Sequence, residues 1–333
     1  MRRREFIADV RRRECTILTL ALLRFAVASP ALFVLFLVTT AAANTEDSIC
    51  GDTRIPIDAS VLNKPFTNLT LGGNNGNFLI DTGATQSQVE TNRYGLPAGS
   101  KIFLSDPLVR GGVFTGANLR SFSAPQGTPL GTIGTDFLSA HSIEFHYGQS
   151  QSFAVLGTMA CDKTVLRRAG FVSVGLPGYY EADVSRLRLG MPNVPVIGLR
   201  IGQVSFPAQV DTGYGDLPQG VVQVNAALMN TIRAAGIKGH AVPSDVATVG
   251  CSGTSTYERW QTDYDELSIV TGEGIIVVNY RPPLLEVKTG AHCSGISIFV
   301  EPFAQIGASW LLRWGISVFD GLNSTVWIRA AVH

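Results

Sequence analysis

The chain is poor in charge, in lysine and in the residues that make most cofactor and metal sites. Only 16% of its 333 residues are charged, and 26 basic side chains balance 26 acidic ones. Its five histidines are scattered and none stands in a nucleophile motif, which argues against a serine or cysteine hydrolase. The five cysteines include no Cys-x-x-Cys pair, and His292 beside Cys293 is an isolated neighbour, so no metal ligand set is read. There is no dinucleotide fingerprint or phosphate-cradling loop, because Gly72-Gly73-Asn74-Asn75-Gly76 reads as a hairpin turn. No cofactor is expected. What the chain does have is 45% hydrophobic residues and 35 glycines, which excludes intrinsic disorder and suits a turn-rich β protein.

Charge is unevenly placed. Seven arginines and three acids lie in residues 1–43, and the remainder carries 19 basic and 23 acidic residues, a net of −4. A mildly acidic body argues against a nucleic-acid partner. The first 43 residues read as an address: two arginine triplets, Arg2 to Arg4 and Arg11 to Arg13, precede an apolar stretch and the small residues Ala41-Ala42-Ala43. That order is a secretory signal cleaved after Ala43. The competing reading is an uncleaved anchor, since Phe25 to Ala43 just suffices to span a bilayer. Either way the body is expected outside the cytoplasm, secreted or periplasmic, and meets a membrane only through an uncleaved leader. Without Cys15 of the leader, Cys50, Cys161, Cys251 and Cys293 remain, and an even number in an exported chain reads as disulfides.

The body contains a repeat. Asp-Thr-Gly occurs at Asp81-Thr82-Gly83 and again at Asp211-Thr212-Gly213, each after an apolar run. At the same 130-residue offset Pro65 matches Pro195, Leu69 matches Leu199, Gly72 matches Gly202 and Ile80 matches Val210. Matches at one fixed offset without gaps point to duplication. Leu69-x-Leu71-Gly72 and Leu199-x-Ile201-Gly202 alternate with strand period, so each copy is expected to be a hairpin, turned at Gly72 to Gly76 or at Gly202-Gln203, that delivers its aspartate from the second strand. Downstream, Ile133-Gly134 and Ile306-Gly307 each predict a strand, a close-approach glycine, a short helix and a final strand. The boundaries expected are 44–168 for the first lobe, 169–182 for a connection and 183–333 for the second lobe. Of the three disulfide connectivities, these lobes favour Cys50–Cys161 and Cys251–Cys293.

Two carboxyl groups brought together by a duplicated lobe cannot both ionise easily, so they share a proton. One then serves as base to a water while the other donates to a substrate carbonyl oxygen. Thr82 and Thr212 are read as locking the two loops across the axis. Gly83 and Gly213 let backbone N–H groups approach the carboxylates. Asp136, Asp216 and Asp320 read as caps or turns.

The stretch Phe78-Leu79-Ile80-Asp81-Thr82-Gly83-Ala84-Thr85 resembles the active-site loop of retroviral-type aspartic proteases. The run from Ile306-Gly307 through Val318-Phe319-Asp320 to Val326-Trp327-Ile328 resembles the closing segment of pepsin-like enzymes. The resemblance spans most of the body and implies an all-β, two-lobed acid protease fold of pepsin-like or retropepsin-like kind, with barrel-like sheets and pseudo-two-fold symmetry. It implies an exported endopeptidase, monomeric and cofactor-free, that cleaves a polypeptide substrate with Asp81 and Asp211 as dyad. Two positions depart from the family pattern: Tyr214 stands where a small residue is usual, and Phe114 stands where the candidate flap, with Gly111 and Gly112, would carry a tyrosine. Tyr214 sustains the rival reading, a non-catalytic protein of the same fold that binds polypeptide or glycan.

Overall fold

The computed structural model describes residues 48–71, 74–90, 101–103, 109–110, 114–122, 131–148, 151–174, 193–215, 220–243, 247–250, 253–256, 258–264, 266–271, 274–279, 283–288 and 296–329. All of these fall in one compact unit, Ser48–His333. The leader, Gly111, Gly112, Asp216, Cys251, Cys293 and most of the expected connection lie outside the described residues. Among the described residues the protein is mostly β, with three sheets of seven, nine and six strands and a separate two-stranded hairpin.

Each Asp-Thr-Gly sits at the end of a hairpin whose sequence alternates. Phe66–Leu71 pairs antiparallel with Asn74–Ile80, and Val196–Ile201 with Val204–Val210. In the second, Leu199, Ile201, Val204, Phe206, Ala208 and Val210 are buried in the main core. Gly202 makes the tight turn at φ 58°, in the left-handed region that a side chain disfavours. The first hairpin is tighter than its sequence suggests, because pairing runs as far as Leu71 opposite Asn74 and Gly76 lies in the strand opposite Leu69. Pro207 sits in the second hairpin opposite Gly198, one residue before pairing with Ala304–Ile306 begins, so its missing N–H leaves that ladder intact.

The two large sheets repeat one connectivity. In the first, Asn74–Ile80 runs parallel to Gly131–Ile133, which pairs antiparallel with Gln88–Glu90, itself parallel to Asn118–Phe122. In the second, Val204–Val210 runs parallel to Ala304–Ile306, which pairs antiparallel with Val221–Asn225, itself parallel to Leu284–Lys288. Both strand orders are open, with two edges, so the expected barrels are not closed. The end strands Lys101–Phe103 and Val109–Arg110 of the first sheet each have one neighbour. After Ile133 and Ile306 come Gly134 with the helix Thr135–Leu138 and Gly307 with the helix Ala308–Trp314.

The third sheet joins the halves. Its order is Thr53–Pro56, Phe153–Gly157, Ser142–His146, Ile316–Asp320, Thr325–Arg329, Phe171–Ser173. The central pairing sets Ile143 opposite Phe319 and Glu144 opposite Val318. Every residue of both central strands is buried, so the strand that ends one half and the strand that ends the other are covered on both faces. Cys50 and Cys161 form a disulfide beside this sheet, within a small cluster that includes Leu166, Phe171 and Trp327.

Candidate active site

Both aspartates leave their strands in the same way. The Asp81 N–H donates to Ile133 O and the Asp211 N–H to Ile306 O, each at 2.9 Å. The strand residue before each aspartate is tied back to the proline that opens the hairpin, Ile80 N to Pro65 O and Val210 N to Pro195 O. Beneath the loops the glycines are sterically required: a Cβ on Gly134 would meet the backbone of Gln86 and Ala84, and one on Gly307 would meet Tyr214.

The two loops interlock through their threonines. Thr82 Oγ1 donates to Val210 O at 2.6 Å and accepts from the Thr212 N–H at 3.1 Å. Thr212 Oγ1 donates to Ile80 O at 2.6 Å and accepts from the Thr82 N–H at 2.9 Å. Both threonines are fully buried. Four hydrogen bonds thus cross between segments 130 residues apart, and each hydroxyl is used as donor and acceptor.

The carboxyls are held from behind by their own loops. Asp81 Oδ1 accepts from the N–H groups of Gly83 at 2.8 Å and Ala84 at 3.1 Å. Asp211 Oδ1 accepts from Gly213 at 2.8 Å and Tyr214 at 3.0 Å. Each loop also backs the other's carboxyl. A Cβ on Gly83 would overlap the Asp211 carboxyl, and one on Gly213 would overlap that of Asp81. Glycine is therefore demanded here by close approach, not by backbone angle.

The two aspartates keep some accessible surface, yet the Asp211 carboxyl is packed round by protein. That burial first, then the charge of Asp81 and a hydrogen bond between the two carboxyls, push Asp211 well above the usual carboxylate range. The Gly213 and Tyr214 N–H groups pull the other way and are outweighed. A carboxyl pair within hydrogen-bonding reach, sharing a proton, is able to act as acid and base at once.

Other residues singled out from the sequence fall in varied places. Asp136 Oδ1 accepts from Ser87 N at 2.9 Å and Ser87 Oγ at 2.6 Å, bracing the loop after Asp81. Asp320 is buried and accepts from the N–H of Cys161. Phe114 is 2% exposed and packs edge-on against Phe137 in the core. The Tyr214 side chain passes Gly307, and its hydroxyl donates to Glu286 Oε2 at 2.6 Å.

Sequence reasoning missed what Tyr214 joins. Gln209, Gln305, Gln223, Glu286 and Arg259 stand in register across five strands of the nine-stranded sheet, all buried. Arg259 pairs with Glu286 Oε1 at 2.9 Å, and Gln209 donates to Gln305. The signal available was a glutamate inside the otherwise apolar run Leu284-Leu285-Glu286-Val287. A hollow of about 940 Å³ lies apart from all this, lined by Arg54, Ile57, Asp58, Gln151 and Phe153 among others. Among the described residues no cluster of acidic, histidine or cysteine side chains could hold a metal ion. No protein-family model matches the chain, and no curated protein matches it.

Proposed function

We propose that the protein is an exported aspartic endopeptidase of the pepsin-like and retropepsin-like superfamily, built from two related lobes that each contribute one aspartate. The observation that carries the reading is the reciprocal interlock of Thr82 and Thr212, with both carboxyls gathered in front of it. Two turn aspartates with unrelated roles have no need of four crossing hydrogen bonds. The repeated connectivity of the two large sheets adds support at the level of the lobes. The Cys50–Cys161 disulfide agrees with an oxidising, extracytoplasmic compartment, and among the described residues no helix is long and apolar enough to cross a membrane.

On this reading a water between the carboxyls loses a proton to Asp81 as its oxygen attacks the carbonyl carbon of the substrate peptide bond. Asp211 gives the shared proton to the carbonyl oxygen. The resulting diol collapses as Asp81 returns its proton to the amide nitrogen, a diol hydroxyl gives its proton to Asp211, and the C–N bond breaks to leave a carboxylic acid and an amine. No covalent link to the enzyme forms, and the dyad regains its single proton. The geometry of Tyr214 is compatible with this, because the position uses its backbone N–H toward Asp211 while the phenol is engaged by Glu286.

The test is incubation of the purified protein with a diverse peptide mixture from acidic to neutral pH, beside Asp81→Asn and Asp211→Asn. Cleavage by the unmodified protein that disappears in both variants is the expected result. A folded protein that cleaves nothing at any pH, with the leader removed, overturns the catalytic reading and favours a binding protein of the same fold.

A further inference from the structure

The six-stranded sheet has two unlike faces. One, with Ile143, Phe145 and Phe319, joins the main core that also holds Ile80 and Val210, the strand residues before the two aspartates. The other, with Ile316, Val318 and Trp327, forms the small cluster covered by the Cys50–Cys161 disulfide and by Leu166 of the helix Lys163–Arg168. The outer side of that helix therefore looks away from the dyad. It is basic: Lys163, Arg167 and Arg168 are exposed, as is Arg329, whose guanidinium lies 5.9 Å from the Phe171 ring of the same cluster. The side chains of Lys163 and Arg168 make no hydrogen bond or ion pair among the described residues. The acids close by are engaged, Asp162 in capping the helix and Glu144 and Asp320 in buried hydrogen bonds.

Apolar side chains stand among these cations. Met159 is 76% exposed, and Val165 and Leu322 are exposed as well. One rim gathers them, because Ser142 Oγ donates to both Met159 O and Cys50 O, and Asn323, next to Leu322, donates to Cys161 O. The folded unit also begins at this rim, where Glu144 holds Ser48, Ile49 and Cys50. In sequence the apolar stretch of the leader ends at Ala43, five residues before Ser48. A membrane that takes up the leader is thus joined to this face by a tether of at most about 18 Å.

We infer that this face is a docking surface for a membrane with anionic lipid headgroups, with Met159, Val165 and Leu322 entering the interface and the dyad left on the far side of the sheet. The inference goes beyond the proposed cleavage and holds whether or not the dyad hydrolyses peptides. Glu46 and Asp47 of the joining stretch, with Asp162, set three acids against the four cations, so binding draws on charge and apolar contact together. Exposed apolar groups beside cations gain from a lipid interface and gain nothing from a soluble polyanion.

The experiment is cosedimentation of the exported form, beginning at Asn44 and retaining the whole unit Ser48–His333, with vesicles of phosphatidylcholine and phosphatidylglycerol in equal parts and with vesicles of phosphatidylcholine alone. Binding to the anionic vesicles is expected. Lys163→Glu with Arg168→Glu should weaken it by about thirtyfold or more, at roughly fivefold for each cation lost. Met159→Ser should weaken it by about fivefold through the lost apolar contact. Arg233→Glu with Lys238→Glu makes the same charge change at exposed positions near the helix Ala226–Ala234, and it should leave binding nearly unchanged. All five positions are exposed, so each variant should fold. No binding to anionic vesicles, equal binding to neutral ones, or equal losses from the two charge-reversed pairs overturns the inference. Binding that depends on Lys163 and Arg168 but ignores Met159→Ser overturns the lipid assignment and points to a soluble polyanion.

Discussion

Thr82 and Thr212 each satisfy two buried backbone groups with one hydroxyl, a demand only serine or threonine meets in that space. Thr82→Ala removes the acceptor for the Thr212 N–H and the donor to Val210 O and leaves both buried. The expected loss is about 2–4 kcal/mol, read by denaturant unfolding, since each stranded polar group costs on the order of 1–3 kcal/mol less whatever relaxation recovers. Thr82→Ser should recover most of it, because the hydroxyl alone makes the contacts. Tyr214 gives a sharper contrast at the same scale. Tyr214→Phe deletes the bond to Glu286 but leaves the N–H that holds Asp211, so stability should fall by about 1–2 kcal/mol while any peptide cleavage retains its pH profile. A changed profile would mean that the phenol acts on the dyad itself.

At the scale of elements, the strand Ser142–His146 does more than fill the middle of the six-stranded sheet. Glu144 within it is 1% exposed and gathers the start of the folded unit, accepting from Ser48 Oγ at 2.8 Å, Ile49 N at 3.0 Å and Cys50 N at 3.3 Å. His146 Nε2 donates to its other oxygen at 2.8 Å. Glu144→Gln should loosen Ser48–Cys50 first, seen as faster amide exchange there, with the sheet itself still protected. Elements of this kind explain what was legible in the sequence. The hairpins, the two aspartates and the glycines beneath them follow local period and close-approach rules that repeat at one offset, so a single chain displays them twice. Glu144 and the row from Gln209 to Arg259 were not legible, because their partners come from strands distant in sequence and register is set by the pairing of whole sheets. The first hairpin departs from its local composition for a related reason: Asn74, Asn75 and Gly76 have turn character, yet strand pairing with Leu69 to Leu71 overrides it.

For the whole molecule, two features set stability, a disulfide and the ionisation of two buried carboxyls. The Cys50–Cys161 disulfide spans 111 residues and ties the first described segment to the helix that precedes Phe171–Ser173. Cys161→Ala should cost about 4–5 kcal/mol on loop-entropy grounds. The second feature is pH. Asp211 is raised above its ordinary 3.8 by burial and by Asp81, so as pH climbs past that value the unfolded chain releases a proton that the folded protein keeps, and stability falls toward neutrality. Glu144 works in the other direction. Burial opposes its charge, but the hydrogen bonds from His146, Ser48 and Ile49 and the electrostatic pull of His146 prevail and lower it from 4.5, so its contribution is present above that value and is lost as pH drops through the depressed one. The two together place the stability maximum on the acid side, with a decline toward neutrality. Asp211→Asn keeps an oxygen to accept from Gly213 and Tyr214 and an amide to donate to Asp81, and it removes the group responsible for the decline. Melting temperatures from about pH 3 to pH 7 should therefore fall on the neutral side for the unmodified protein and stay nearly level for Asp211→Asn, and parallel curves for the two would show that the buried dyad does not hold the extra proton.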